Sequence, residues 1–387
     1  MNLGDQRGLF EIPDGISYLN CAYMGPQLRE AREVGERAVS RKSHPWELRP
    51  EDFFAEAEEA RGLFARLLGA ADGAADGVAD GVAIVPSVSY GMAVAANNVA
   101  VGEGEKILLL EYQFPSNVYP WRELAAERKA EILTVPRPAD HDWTAAVLDA
   151  LDENVAVVTL ANCHWTDGSL VDLVRVGRRA REVGAALVVD AIQSLGALPF
   201  DVAEVRPDFL VAGAYKWLLG PYGVGFMYVA EGYREGKPVE HNWINRRDSE
   251  TFARVAEYRD EFAPGARRYD VGERSNFVLL PMANAALRQI LAWGVENVAE
   301  SIGGLTDLVE GEAGTLGIEA VPKERRARHM IGLKLGPGAP EDLAARLAAE
   351  GVFVSVRGES VRISPHLYNT EHDVRCLFSA LEKALRL

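Results

Sequence analysis

Cysteine is nearly absent: Cys21, Cys163 and Cys376 are scattered along 387 positions with no C-x-x-C spacing. That pattern excludes a disulfide framework and a cysteine-built zinc site. His366 and His372 fit no metal-ligand spacing, so both are read as structural and no metal is expected. Long apolar runs are missing as well. None approaches the roughly 20 residues that cross a bilayer, and the opening MNLGDQRGLFEIPDG lacks the basic-then-apolar pattern of a signal peptide. A cytoplasmic protein without a membrane partner is expected. Positive charge is in deficit, with 41 Lys and Arg against 57 Asp and Glu and a net charge of −16. Nucleic-acid binding rests on cationic contacts to phosphate, so nucleic acid is not an expected partner. No G-x-G-x-x-G opens a helix: the Gly220 to Gly225 turn runs into a strand instead, against a dinucleotide site.

What is present is an ordinary globular composition, 48% apolar and 25% charged, in a chain long enough for two domains. Short, β-branched, continuously apolar runs at 82–85, 106–110, 156–161, 185–189 and 209–212 read as strands buried on both faces. Helical periodicity appears between them, as at 173–183, where Arg178, Arg179 and Arg181 mark the wet side. The alternation predicts an α/β fold with a mainly parallel, doubly wound sheet. The stretch 69–81, GAADGAADGVADG, carries no large side chain and is expected to be a surface loop or linker.

The chain is organised around 185–229. Asp190 ends one buried strand, and Lys216 follows another by way of Gly213, Ala214 and Tyr215. Ligands of open α/β sheets bind at that carboxyl edge. A carboxylate and an amine placed there suit pyridoxal 5'-phosphate (PLP): the acid keeps the ring nitrogen protonated and the lysine forms the Schiff base. Lys216 is then also the group that moves protons at the substrate's Cα. A phosphate fits the helix start at Ser87, the Val88 amide and Ser89, where unpaired N–H groups favour an anion; simple capping by serine is the competing reading.

DAIQSLG (190–196) and AGAYKWLLGPYGVGFMYV (212–229) resemble the class V aminotransferase family, which includes cysteine desulfurases, kynureninases and isopenicillin epimerase-like enzymes. The resemblance runs from about Tyr18 to the C-terminus. It implies the fold-type I architecture of PLP-dependent transferases, with an N-terminal segment (1–20) near the active site, a large PLP-binding domain (21–255) and a smaller α+β C-terminal domain (256–387). By the same resemblance Phe114 stacks on the cofactor ring, Thr166 and Gln193 lie near its phenolic oxygen, and Tyr215 faces its phosphate. His164 and Trp165 are candidate substrate contacts beside Thr166, as are Asn20 and Tyr23 in the segment crossing the site. Arg362, in VRISPHLYNT, corresponds to the clamp for the substrate carboxylate, where a guanidinium gives two parallel hydrogen bonds. The segment 267–277 matches one that reaches the neighbouring subunit's phosphate. Glu273 stands where a threonine is usual, so Arg274, Ser275 or Asn276 could take its place, and a homodimer with shared active sites is implied.

Desulfurases carry a nucleophilic cysteine shortly before the clamp arginine. Positions 352–362 hold none, so a desulfurase using such a cysteine is not expected. The expected activity is an aminotransferase acting on an amino acid as its small-molecule substrate. The alternatives are β-elimination as in a C–S lyase and kynureninase- or epimerase-like chemistry; outside enzymes, a catalytically silent PLP-binding regulator is the alternative.

Overall fold

The computed structural model describes residues 2–70, 75–336 and 338–385. Seven strands build the central sheet: Val82–Val85 (β1), Lys106–Leu110 (β2), Glu131–Val135 (β3), Val155–Ala161 (β4), Ala186–Asp190 (β5), Phe209–Gly213 (β6) and Gly225–Val229 (β7). Their spatial order is β1-β7-β6-β5-β4-β2-β3. Only β7 runs against its neighbours, pairing antiparallel with β1 and β6; the remaining pairs are parallel. The carboxyl ends of β1, β2, β4, β5 and β6 therefore share one edge.

Successive strand residues feed opposite faces, and both faces are apolar. Ile84, Leu108, Leu160, Val189, Leu210 and Phe226 belong to one core, together with helices Ala55–Leu67, Leu173–Val183 and Leu279–Trp293. Val85, Leu109, Val157, Val188, Val211 and Met227 belong to the other, under Val88–Ala96 and Tyr119–Arg128. Burial on both sides is why these strands read as unbroken apolar runs in the sequence. The helix Leu173–Val183 starts on an Asp172 cap that accepts the Arg175 N–H. It stops at Gly184, whose φ of 81° is left-handed, and the chain turns directly into β5.

A second, antiparallel sheet has the order β9-β10-β8, with Ile331–Lys334 (β8), Ser355–Arg357 (β9) and Ser360–Ile363 (β10). Leu333, Val361 and Ile363 pack with Leu343, Leu347 and Leu377 in a separate core. The N-terminal segment is stitched to this part. Ser17–Tyr18 pairs in parallel with Val352–Phe353, and Cys21 N–H donates to the Ser364 carbonyl. A little further on, Gly25 N–H donates to the Tyr215 carbonyl.

One expectation changes. Within 69–81, read as loop, Ala75–Ala79 forms a short helix, because Val78 packs against the large core and that tertiary contact overrides the poor helix propensity of the adjacent Asp76 and Gly77; residues 71–74 of that stretch lie outside the described residues. Among the described residues, no helix is long and apolar enough to cross a membrane.

Candidate active site

Asp190 is the last residue of β5 and is only 3% exposed. One carboxylate oxygen accepts the Ile192 N–H at 3.1 Å, and no cation pairs with it among the described residues. Burial pushes its carboxyl up to about 6, against the opposing pull of that N–H and of Lys216. Lys216 lies three residues past β6 and is 6% exposed. Burial pushes its amine down to about 8; Asp190 counters the shift, while Arg362 and Arg357 add to it. Its Nζ lies 5.6 Å from the centres of both the Phe114 and Tyr215 rings. The turn after Lys216 is tight: Leu219 adopts a φ of 52°, and its N–H donates to the Lys216 carbonyl at 3.1 Å.

Phe114, His164, Trp165 and Gln193 share one cleft with Asp190 and Lys216. Phe114 and Trp165 meet edge to face, 5.4 Å between ring centres. Trp165 is anchored by its indole N–H to the Tyr112 carbonyl at 2.7 Å. Its own carbonyl accepts Arg362 Nη1 at 2.6 Å, which brings Arg362 to the cleft. Arg362 is 1% exposed, and its Nε has no partner among the described residues. Burial, and next Arg357, press its guanidinium below the usual range. A buried cation with free donors calls for an anion. Asn20 stands beside it, its side-chain oxygen accepting the hydroxyl of Ser355 at 2.8 Å, and Ser355 is the cross-strand partner of Arg362.

At the same sheet edge, Ser87 and Ser89 are exposed at the start of helix Val88–Ala96. Ser87 caps that helix, accepting the Tyr90 N–H at 3.2 Å. Ser89 donates to Ser116 Oγ at 3.0 Å, so hydroxyls and first-turn amides converge there. Tyr215 is half-buried and packs on Tyr222, 4.7 Å between ring centres.

Other candidates lie elsewhere or are already engaged. Tyr23 is 55% exposed and does not line the cleft. Thr166 is turned away, its hydroxyl accepting Arg137 Nη2 at 2.8 Å and lying 2.7 Å from His164 Nδ1. His164 lines the cleft, but Nε2 faces the Glu111 carbonyl at 3.1 Å and the ring stacks on Trp143 at 5.3 Å. Burial holds that imidazole down at about 4, so it is neutral. Both its nitrogens are spent on the protein. Gln193 uses one N–H on the Ala22 carbonyl and its oxygen on the Trp217 indole, leaving one N–H for the site. Arg274 is buried, pairs with Asp270 at 2.8 Å and stands over Phe54. Ser275 donates to the Phe53 carbonyl at 2.6 Å. Within one chain, neither touches Ser87 or Ser89.

Sequence reasoning missed Arg137 and Asp167, which pair behind His164. Arg137 follows β3, a strand not recognised in the sequence. It also missed Arg357, whose guanidinium lies over Trp165 at 5.9 Å. The alternation VSVR…SVRI was the available signal, since it puts every second residue on one face.

The aminotransferase class-V family model matches residues 38–381. The chain belongs to that family. An uncharacterized aminotransferase of Bacillus subtilis (strain 168) is 27% identical over 337 residues, covering 82% of this chain and 81% of its own. A probable cysteine desulfurase of Methanothermobacter thermautotrophicus is 24% identical over 321 residues, 77% of each chain. Among solved structures, the cystine C–S lyase C-DES, in complex with its reaction product cysteine persulfide, superposes with a TM-score of 0.85 at 17% identity over 95% of this chain and 97% of that one. This class V enzyme has the fold-type I architecture, and its cofactor is PLP. The residues present fit that group: Asp190 is a buried carboxylate in want of a cationic N–H, and Lys216 is a buried amine beside it.

The exclusion of a cysteine desulfurase is corrected by these relatives. Chains named as probable cysteine desulfurases align over three quarters of this class V protein, and a cysteine desulfurase shares its fold over the full length. Inspecting one loop for a cysteine tested a single placement of the nucleophile, which is too narrow a criterion for the activity.

Proposed function

We propose that the protein is an aminotransferase that binds an α-amino acid by its carboxylate on Arg362 and acts at Cα beside Lys216. The observation that carries this reading is the single cleft shared by a buried carboxylate and a buried amine, with a buried guanidinium at its rim that has no carboxylate partner among the described residues. When bound, PLP supplies an electron sink that acidifies the Cα–H bond. Asp190 holds a proton on a ring nitrogen by offering a carboxylate in an apolar wall. Lys216, with its amine near 8, has a substantial neutral fraction at physiological pH and moves a proton at Cα. Arg362 donates to the substrate carboxylate and fixes which Cα bond faces Lys216. Phe114 and Trp165 cover the cleft and exclude water, and Ser87 and Ser89 with the first-turn amides take the phosphate. A homodimer is part of the proposal.

Sulfur removal from cysteine or cystine is the second reading, favoured by the desulfurase names among the relatives. One experiment separates the two. The purified protein is loaded with PLP and offered a panel of amino acids including cysteine and cystine. A keto acid with lasting loss of the yellow absorbance means transamination. Pyruvate and ammonia with the absorbance restored mean elimination, and alanine with sulfane sulfur means desulfuration. Lys216→Ala abolishes whichever is found. A protein that acquires no visible absorbance with PLP overturns the proposal.

A further inference from the structure

Strands β9 and β10 form a hairpin whose two faces differ. Ser355 pairs with Arg362, Val356 with Val361 and Arg357 with Ser360. Side chains alternate along each strand, so Val356 and Val361 point together to one side, where Val361 lies in the small-domain core with Val356 packed against it. Ser355, Arg357, Ser360 and Arg362 share the other. Arg357 and Arg362 are thus diagonal neighbours on one face, a separation of roughly 7–8 Å that long side chains span.

Two guanidinium groups side by side repel one another, and water relieves that only at the exposed one. Arg362 is fully buried while Arg357 is half-buried. The chain has 57 acids to 41 bases, yet neither arginine has a carboxylate partner among the described residues. Arg357 is not adrift either. Its Nη1 donates to the Val356 carbonyl at 2.9 Å, and its guanidinium lies over Trp165, the same residue whose carbonyl positions Arg362. Both arginines act electrostatically on Lys216. The mouth of the cleft therefore holds two cations with no internal anion to balance either.

Resting on the proposed amino-acid chemistry, we propose that Arg357 is a specificity-determining residue that grips a second carboxylate, so that the substrate is an amino acid whose side chain ends in a carboxylate group. One carboxylate engages Arg362, as any α-amino acid would. The other lies along the hairpin on Arg357, over the Trp165 indole. A neutral side chain leaves Arg357 without an ion partner and gains nothing from its charge.

The test uses the PLP-loaded enzyme with glutamate, aspartate, cystine and alanine. The expected result is a KM for at least one of the first three at least tenfold below that for alanine. Arg357→Gln should shrink that preference tenfold or more through KM with little change in kcat, and Arg357→Lys should restore part of it. Equal KM values for alanine and all three dicarboxylates, or equal losses for all in Arg357→Gln, overturn the inference while leaving the amino-acid reading intact. If no amino acid is turned over, that reading fails by itself. The arginine pair is then judged by binding glutarate against butyrate, followed by perturbation of the cofactor spectrum. Tighter glutarate binding that disappears in Arg357→Gln supports the pair, and equal binding of the two acids overturns it.

Discussion

Asp190 and Lys216 show how one local environment shifts two groups in opposite directions. Removal from water disfavours the charged form of each, so the acid rises to about 6 and the amine falls to about 8. For Asp190, a folded value above the unfolded one means its contribution to stability is intact below about pH 4 and lost as pH rises to 6. Without cofactor, Asp190→Asn is therefore expected to raise stability above pH 6 by on the order of 2 kcal/mol while eliminating turnover. Melting temperatures of the apo proteins across pH 4–8 check the first half, and steady-state rates check the second. Lys216 attacks a carbonyl only as the free amine, so the rate of PLP uptake by apo protein should climb through about pH 8. A lysine of ordinary pKa would place that rise above about pH 10, and stopped-flow absorbance distinguishes the two. Asp190 was legible in the sequence because it ends a buried apolar strand, and Lys216 because it follows another by three residues; the reading of Arg362 rests on the family resemblance of VRISPHLYNT. The engagement of Thr166 and His164 was not legible, because Arg137 and the Glu111 carbonyl, which hold them, follow strands remote in sequence.

Among elements, the segment 265–276 is tied to the sheet by a buried carboxylate as well as by backbone bonds such as Val271 N–H to the Ile84 carbonyl. Asp270 is fully buried, pairs with Arg61 and Arg274 and accepts the Ile84 N–H at 2.8 Å. Asp270→Ala leaves the buried Arg274 without its carboxylate partner and Arg61 with only Glu58, and should cost about 3–5 kcal/mol, read by urea unfolding. The loop carrying Lys216 is set by close backbone approach, since a Cβ on Gly25 would lie 2.1 Å from the Lys216 carbonyl oxygen. Gly25→Ala should push that loop aside and weaken PLP binding at least tenfold, measured by absorbance titration. The central strands were visible in advance because both faces are apolar. Strand β3 was not: it lies at the sheet edge, and only Val135 of its five residues is buried, so its pattern blurs into that of a surface segment.

For the whole molecule, composition and strand–helix alternation were sufficient for the fold class, because a mainly parallel sheet demands cover on both sides and the chain has the helices to provide it. The assembly is less visible in one chain. Trp243, Phe252, Val255 and Tyr258 are exposed on 243–258, a cluster of large apolar groups of the kind that marks contact with another protein. The expectation for the proposed homodimer is contact through this surface: Val255→Asp combined with Tyr258→Asp should move the sedimentation coefficient from dimer toward monomer and reduce specific activity in step.

The ordering of residues 17–25 has a mechanical consequence. Over nine residues the backbone bonds first to the strand before the arginine hairpin, then to the end of β10 at Ser364, and finally to the carbonyl preceding Lys216. Substrate grip and bond-breaking chemistry thus hang from a common tether, so a single proteolytic nick there would let the two drift out of alignment while leaving each half folded.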